Sequence, residues 1–205
     1  EELDDASRAK FVSTIHKESL RLTSLLDEIL DLSALERGER AWENRPIDAE
    51  ESLDQALRVC DALARQSNTQ VKIGTRASAA YVRSDPDRLS QVLINLISNA
   101  IKYNGAIAPV VEVRSRLKRG AYIIEVEDNG IGIAQEEQPR IFDKFYRGRL
   151  GETGPYAGAG LGLPISREII SRMDGVLELV STREEGACFR ITLPLITQSE
   201  AGAAQ

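Results

Sequence analysis

Three short stretches carry the residue types that chemistry would need. Asn95, Asn99 and Lys102 are four and three residues apart, so on a helix they line one stripe. Asparagine is a poor interior helix former because its amide competes for the backbone. Either amide oxygens and a cation are wanted there, or the stripe is a solvated helix face; the stretch itself leaves both open. The second stretch, Asp128-Asn129-Gly130-Ile131-Gly132-Ile133, follows an alternating apolar run. An aspartate at a strand end accepts a hydrogen bond from an exocyclic amine, and glycines admit a flat ring close to the backbone. Asp-Asn-Gly is equally ordinary turn chemistry. The third, Gly158-Ala159-Gly160-Leu161-Gly162-Leu163, runs into a helical pattern. Such a turn offers free backbone N–H groups and the positive end of a helix dipole, which suits phosphate. A flexible hinge is the alternative. The turn is not a Walker loop, lacking Gly-Lys-Ser/Thr, nor a Rossmann fingerprint, because no strand precedes it.

The elements that must position these stretches are legible from periodicity. In 85–103 (DPDRLSQVLINLISNAIKY), Leu89, Val92, Leu93, Leu96, Ile97, Ala100 and Ile101 repeat as a helix with one buried face. Asp85-Pro86 is a start signal and Asn104-Gly105 a stop. Upstream, 3–36 reads as a helix in which Phe11, Ile15, Leu22, Leu25, Ile29 and Leu32 form a 4-3-4-3 seam, widened by Leu26 and Leu30. One helix cannot bury that face, so a partner helix is implied, from missing sequence or a second subunit. Gly38 ends it. Between the two lie a short strand at 42–47, an amphipathic helix at 49–66, and strands at 70–75 and 80–83. After the organising helix, 110–117 and 122–127 pair as a hairpin turned at Lys118-Arg119-Gly120, with the alternation of a sheet covered on one side. Ile141, Phe142 and Phe145 form a short apolar patch. Residues 149–157 (RLGETGPYA) read as a mobile loop, 163–173 as a helix entered through Pro164, and 176–181 with 188–193 as a closing hairpin.

The expected fold is α+β: a two-layer sandwich whose mixed, mostly antiparallel sheet of about five strands is covered on one face by about three helices, with an N-terminal helical stalk. The other face of the sheet is left to water. The divisions are a stalk at 1–38, a globular domain at 39–195 and a disordered, Ala-, Gln- and Ser-rich tail at 196–205.

With 205 residues, 42% hydrophobic and 28% charged, the chain can bury one domain plus an appendage. A net charge of -6 with scattered basic residues argues against a general nucleic-acid surface. No apolar run approaches the roughly 20 residues of a spanning helix, so this stretch is expected to be soluble and to make no membrane contact. The chain opens on Glu1 without an initiator Met, and the expectation is a piece cut from a longer, cytoplasmic or membrane-tethered protein. Two cysteines far apart and one histidine set aside a disulfide scaffold and a transition-metal centre. Cys60 shares a helical face with Leu53, Ala56 and Leu57 and packs there.

In combination the stretches say more than any one of them. Asn95-x-x-x-Asn99-Ala100-x-Lys102-Tyr103, Asp128-x-Gly130-x-Gly132, Phe142-x-x-Phe145-Tyr146-Arg147 and Gly158-x-Gly160-Leu161-Gly162-Leu163 occur in order at domain-sized spacing. This set resembles the N, G1, F and G2 boxes of the ATP-binding catalytic domain of bacterial sensor histidine kinases. Gly186-Ala187-Cys188-Phe189 resembles the last glycine box. The resemblance covers 42–195 and extends to 15–36, which is similar to the second helix of that family's dimerisation hairpin. It implies that Asn99 holds Mg²⁺ through its side-chain oxygen with Asn95 assisting, as a hard cation that keeps waters permits. Lys102 and Arg147 would offset phosphate charge, Tyr103 would stack near adenine, and Asp128 would accept from the adenine amine. Gly130, Gly132, Ile133 and Phe145 would complete the ATP site with Gly158, Gly160, Leu161, Gly162 and Leu163, and 149–157 would be the lid. Phosphoryl transfer is mostly positioning and charge stabilisation. A response-regulator receiver domain and a homodimer through the hairpin follow as implied partners.

One part of the pattern departs. The acceptor histidine of that family lies in the first hairpin helix, before an acidic residue. His16 is followed by Lys17-Glu18-Ser19-Leu20 and sits in the second helix, where a partly exposed bundle histidine is the plainer reading. The expected acceptor therefore precedes Glu1. Two other functions stand beside the autokinase: an ATP-hydrolysing switch of the gyrase and Hsp90 kind, and a degenerate module that docks partners. The first needs a base where Asn95 offers a neutral amide; the second would not need the ligand set that is present.

Overall fold

The structure, a computed structural model, describes residues 4–37, 42–148, 159–180 and 186–196. The expected lid at 149–157, Gly158 and most of the tail lie outside the described residues.

Helix α1 (Asp5–Arg37) is followed by β1 (Arg45–Asp48), α2 (Ala49–Gln66), β2 (Gln70–Ile73), β3 (Tyr81–Ser84) and α3 (Pro86–Lys102). The hairpin β4 (Val110–Lys118) and β5 (Ala121–Asp128) comes next, then a 3₁₀ turn at Gln138–Arg140, α4 (Gly162–Ser171), β6 (Val176–Leu179) and β7 (Cys188–Pro194). Two capping aspartates set the helix starts. Asp48 accepts from the backbone N–H of Glu50 at 3.0 Å and also of Ala80, tying the start of α2 to the approach to β3. Asp85 accepts from the N–H groups of Asp87 and Arg88 at 3.0 and 3.2 Å, with Pro86 in the first turn.

The main sheet has five strands in the order β2-β4-β5-β7-β6, with β2 parallel to β4 and the other pairs antiparallel. The β4–β5 turn uses Arg119 and Gly120 at φ 52° and 78°, the paired left-handed residues that match strand twist. The strands expected at 42–47 and 80–83 form instead a separate two-stranded antiparallel sheet, β1 with β3. It joins the main body through a bridge from Val82 to Leu195. Strands this short carry no sign of their partner in their own composition.

Val111, Val113, Tyr122, Ile124, Val126, Ile191 and Leu193 face the helices and are buried against Leu53, Leu93, Leu96, Ile97 and Ile169. All seven apolar residues expected on the inner face of α3 lie in this core. Cys60 is buried there too, and both cysteines are free thiols. A polar knot sits at one edge of the core. The Glu50 carboxylate, itself buried, accepts from the hydroxyls of Tyr122 and Ser115 and from Arg76, which fixes α2 and the 74–80 loop to the sheet. Burial and the Glu50 charge push the Tyr122 hydroxyl far up from its ordinary pKa.

The opposite face of the sheet is not simply left to water. Register aligns Glu178, Arg190, Glu125 and Arg114 into a row of alternating charge across four strands. Arg190 and Arg116 approach Glu125 at 2.6 and 2.7 Å, and the arginine side chains cover it to 5% exposure. Hydrogen bonds from Arg116, opposed by burial, hold the Glu125 carboxyl at about 2.

Candidate functional site

Helix α3 is the spine of the site. Asn95 and Asn99 are half-buried on its stripe, and Asn99 Nδ2 donates to Asn95 Oδ1 at 3.3 Å. Asn95 Nδ2 in turn donates to Ser166 Oγ of α4 at 2.9 Å. A Cβ at Gly162 would lie 2.5 Å from Asn95 Oδ1, so only glycine lets α4 approach so closely. The stripe and the second glycine turn therefore meet. Gly162 is the first residue of α4, one position before the helix expected from the sequence and two before Pro164.

The first glycine turn reaches the same helix at its end. Asn104, following the C-cap residue Tyr103, is only 2% exposed. Its Nδ2 donates to Val110 O and Asn129 Oδ1, both at 3.2 Å, and its carbonyl accepts from Ile131 N at 3.1 Å. Gly130 lies so close to the Asn104 peptide that any side chain there would collide with it. Asn129 spans back to the approach to β4, accepting from Val110 N at 2.7 Å and donating to Ala108 O at 2.9 Å. Asp128 closes β5: its Oδ1 accepts from Gly130 N and Ala187 N at 2.9 and 3.3 Å, which leaves Oδ2 for a ligand. Burial raises its pKa, and the two backbone N–H groups and Glu127 modulate that. Gly186, at φ 87°, passes so close to Asp128 O that a Cβ would collide with it.

The third junction joins the F-box segment to the second turn. Phe145 N donates to Gly160 O at 3.1 Å, and a Cβ at Gly160 would lie 2.5 Å from Tyr146 O. The apolar patch expected at 141–145 splits here. Ile141 and Phe142 pack on the core, Phe142 edge-on to Phe189 at 6.4 Å. Phe145 turns outward, at φ 63° and 62% exposed. Arg147 is half-buried two residues further on.

Gly132 adopts φ 72° in the first turn, and Ile133 packs on the core while its carbonyl accepts from Gln138. Leu161 is fully buried and Leu163 packs on the core, so what both offer a ligand is backbone. Lys102 and Tyr103 are half-buried at the end of α3, and the Lys102 charge is felt at the Cys60 thiol, which burial pushes up. Gly158 lies outside the described residues. His16 is exposed on α1. A separate polar groove between α2 and β1, lined by Arg45, Asp48, Glu51, Asp54 and Arg58, is bordered by none of these residues.

Sequence reasoning missed Asn104, Asn129 and Ser166. Asn104 was legible only as a helix stop, and no local pattern marks a serine on a helix as the partner of an amide 71 positions away.

Two glycine turns thus flank an amide-bearing helix packed on one face of a mixed sheet, an α+β sandwich. Residues 84–197 match the histidine kinase-, DNA gyrase B- and HSP90-like ATPases, and the chain belongs to that family. The chain is 32% identical over 187 residues to the circadian input-output histidine kinase CikA of Synechococcus elongatus, covering 90% of this chain and 25% of CikA. A structure of full-length ShkA with AMPPNP superposes with a TM-score of 0.79 at 25% identity, over 96% of this chain and 40% of that one. A structure of the histidine kinase ThkA with the response regulator TrrA superposes with a TM-score of 0.76 at 26% identity, over 95% of this chain and 53% of that one. The chain is thus an ATPase domain of that family, similar in sequence and fold to these histidine kinases. It spans about a quarter of the length of CikA.

Proposed function

We propose that this chain binds Mg–ATP and delivers the γ-phosphoryl group to a histidine outside residues 1–205, from which it passes to an aspartate of a receiver domain. The observation that carries this is the convergence of the Asn95–Asn99 stripe with Gly162 on one side and, through Asn104, with the Asp128 turn on the other. Asn99 and Asp128 lie at the two ends of one short path, with about 4.5 Å of helix rise between Asn99 and Lys102, the last residue of α3.

The donor set suits Mg²⁺. Asn99 Nδ2 is engaged by Asn95, so its Oδ1, a hard oxygen, is the atom turned to a cation. Mg²⁺ would neutralise charge on the phosphates. Asp128 Oδ2 would accept from the adenine amine, with Gly130 and Gly132 admitting the ring. The N–H groups around Gly160 and Gly162 would meet phosphate oxygens at the start of α4. Lys102 and Arg147 would offset phosphate charge, Tyr103 and Phe145 would flank the nucleotide, and 149–157 with Gly158 would cover it. The stalk at 1–38 would pair with a second copy in the whole protein. The receiver partner rests on the resemblance to ThkA, whose structure holds a response regulator.

The test supplies γ-labelled ATP to a longer form carrying the upstream helix. An acid-labile, base-stable phosphoprotein is the expected product. Steady phosphate release without labelled protein would establish instead the hydrolytic switch, which Asn95, lacking a titratable group, does not favour.

A further inference from the structure

A hydroxyl that plays no part in the reaction above is built into the metal side of the site. Ser166 is 2% exposed, on the face of α4 one turn beyond Gly162. Gly162 and Ser166 are an i, i+4 pair, so both confront Asn95: the glycine makes room for the amide and the serine bonds it. The hydrogen bonds run in one direction. Asn99 Nδ2 donates to Asn95 Oδ1 at 3.3 Å, and Asn95 Nδ2 donates to Ser166 Oγ at 2.9 Å. An amide has an acceptor end and a donor end, so each link fixes which way the next group faces. Reversing the chain would turn the Asn99 NH₂ outward, and a donor repels a cation.

We propose that Ser166 is a positioning residue for the cation. As terminal acceptor of the Ser166–Asn95–Asn99 chain, it sets the amide of Asn95 and thereby presents Asn99 Oδ1. Asn95 is then chiefly the link between them, since both ends of its amide are engaged. This deepens the Mg–nucleotide reading and rests on it. Removing the hydroxyl leaves Asn95 Nδ2 without its acceptor in a half-buried place, which favours rotation of the amide and loss of the outward oxygen at Asn99.

The test is binding of ADP by calorimetry to this chain, in MgCl₂ and in EDTA, for the wild type, Ser166→Ala, Asn95→Ala and the double variant. Thermal melts run alongside. Ser166→Ala is expected to weaken ADP binding in Mg²⁺ by about 3- to 10-fold, the worth of one neutral hydrogen bond, and to leave the EDTA value unchanged. Adding Ser166→Ala to Asn95→Ala is expected to cost nothing more, because the serine acts through that amide. Equal losses with and without Mg²⁺ would mark a general packing defect and overturn the proposal. Additive losses in the double variant would do the same. A wild type whose ADP affinity ignores Mg²⁺ would remove the cation site itself, and the positioning role with it. A wild type that depends on Mg²⁺ beside an unaltered Ser166→Ala would overturn only the serine's role.

Discussion

Helices α1 and α3 both carry apolar stripes in the sequence, yet the fold treats them in opposite ways. Every stripe residue of α3 is buried, from Leu89 to Ile101. On α1, Phe11, Ile15, Leu22 and Leu26 stand 55–65% exposed. On α3 both faces are engaged, the apolar one against the sheet and α2 and the polar one, through Asn95, against α4. Periodicity states that a face is made to be covered; it does not name the cover. For α3 that cover is this chain's own sheet, and for α1 it is not.

Substitutions on the two helices put this contrast to the test. Leu96→Ala, at the buried face of α3, is expected to destabilise the sandwich by about 2–5 kcal/mol, measured by chemical denaturation. A loss below about 1 kcal/mol would show the core to be looser than its packing. Asp128→Asn, in the turn docked on the end of α3, exchanges a charged acceptor for a neutral amide and is expected to weaken ADP by about 1.5–3 kcal/mol in calorimetry. An unchanged affinity would move adenine elsewhere. Asn99→Ala should abolish the Mg²⁺ dependence of that binding while leaving the melting temperature in place, since among the described residues its side chain bonds along the stripe, to Asn95. Acid draws the contrast more finely. The Glu125 carboxyl lies at about 2 against the usual 4.5, so its contribution is complete above about pH 4.5 and fades as pH falls towards 2. That loss belongs to the sheet, and Glu125→Gln should flatten the acid limb of its stability curve. The smallest effect is expected for Leu26→Ala on α1: within about 0.5 kcal/mol for the sandwich, and no change in ADP affinity. A large loss there would mean that α1 props the domain and is no independent stalk.

How far the sequence carried the reading depends on the range of each cue. Helix α2 falls at 49–66, as its amphipathic pattern dictates, and α3 starts at the Asp85-Pro86 signal. These cues act within a turn or two of chain. The pairing of β1 with β3 was not legible, because two four-residue strands hold too few positions to specify a neighbour. At the site, Asn95, Asn99, Asp128 and the glycines were legible through their combination, two amides on one helical stripe followed by two glycine turns in order. Asn104 and Ser166 were not. An asparagine after a helix and a serine within one are common, and only the meeting of distant segments gives them work. Glu125 is the inverse case: an ordinary strand glutamate becomes a buried, strongly acidic group because two neighbouring strands bring arginines to it.

The outermost strands of the main sheet, β2 and β6, are four residues each, with Lys72 and Glu178 exposed within them. An open strand border invites another chain to add itself, and brevity with an outward charge discourages that. If a paired stalk holds two copies side by side, their local concentration is high enough for such zippering to compete with function. In the paired form proposed above, borders this short and this charged would let each domain move past its twin without adhering to it.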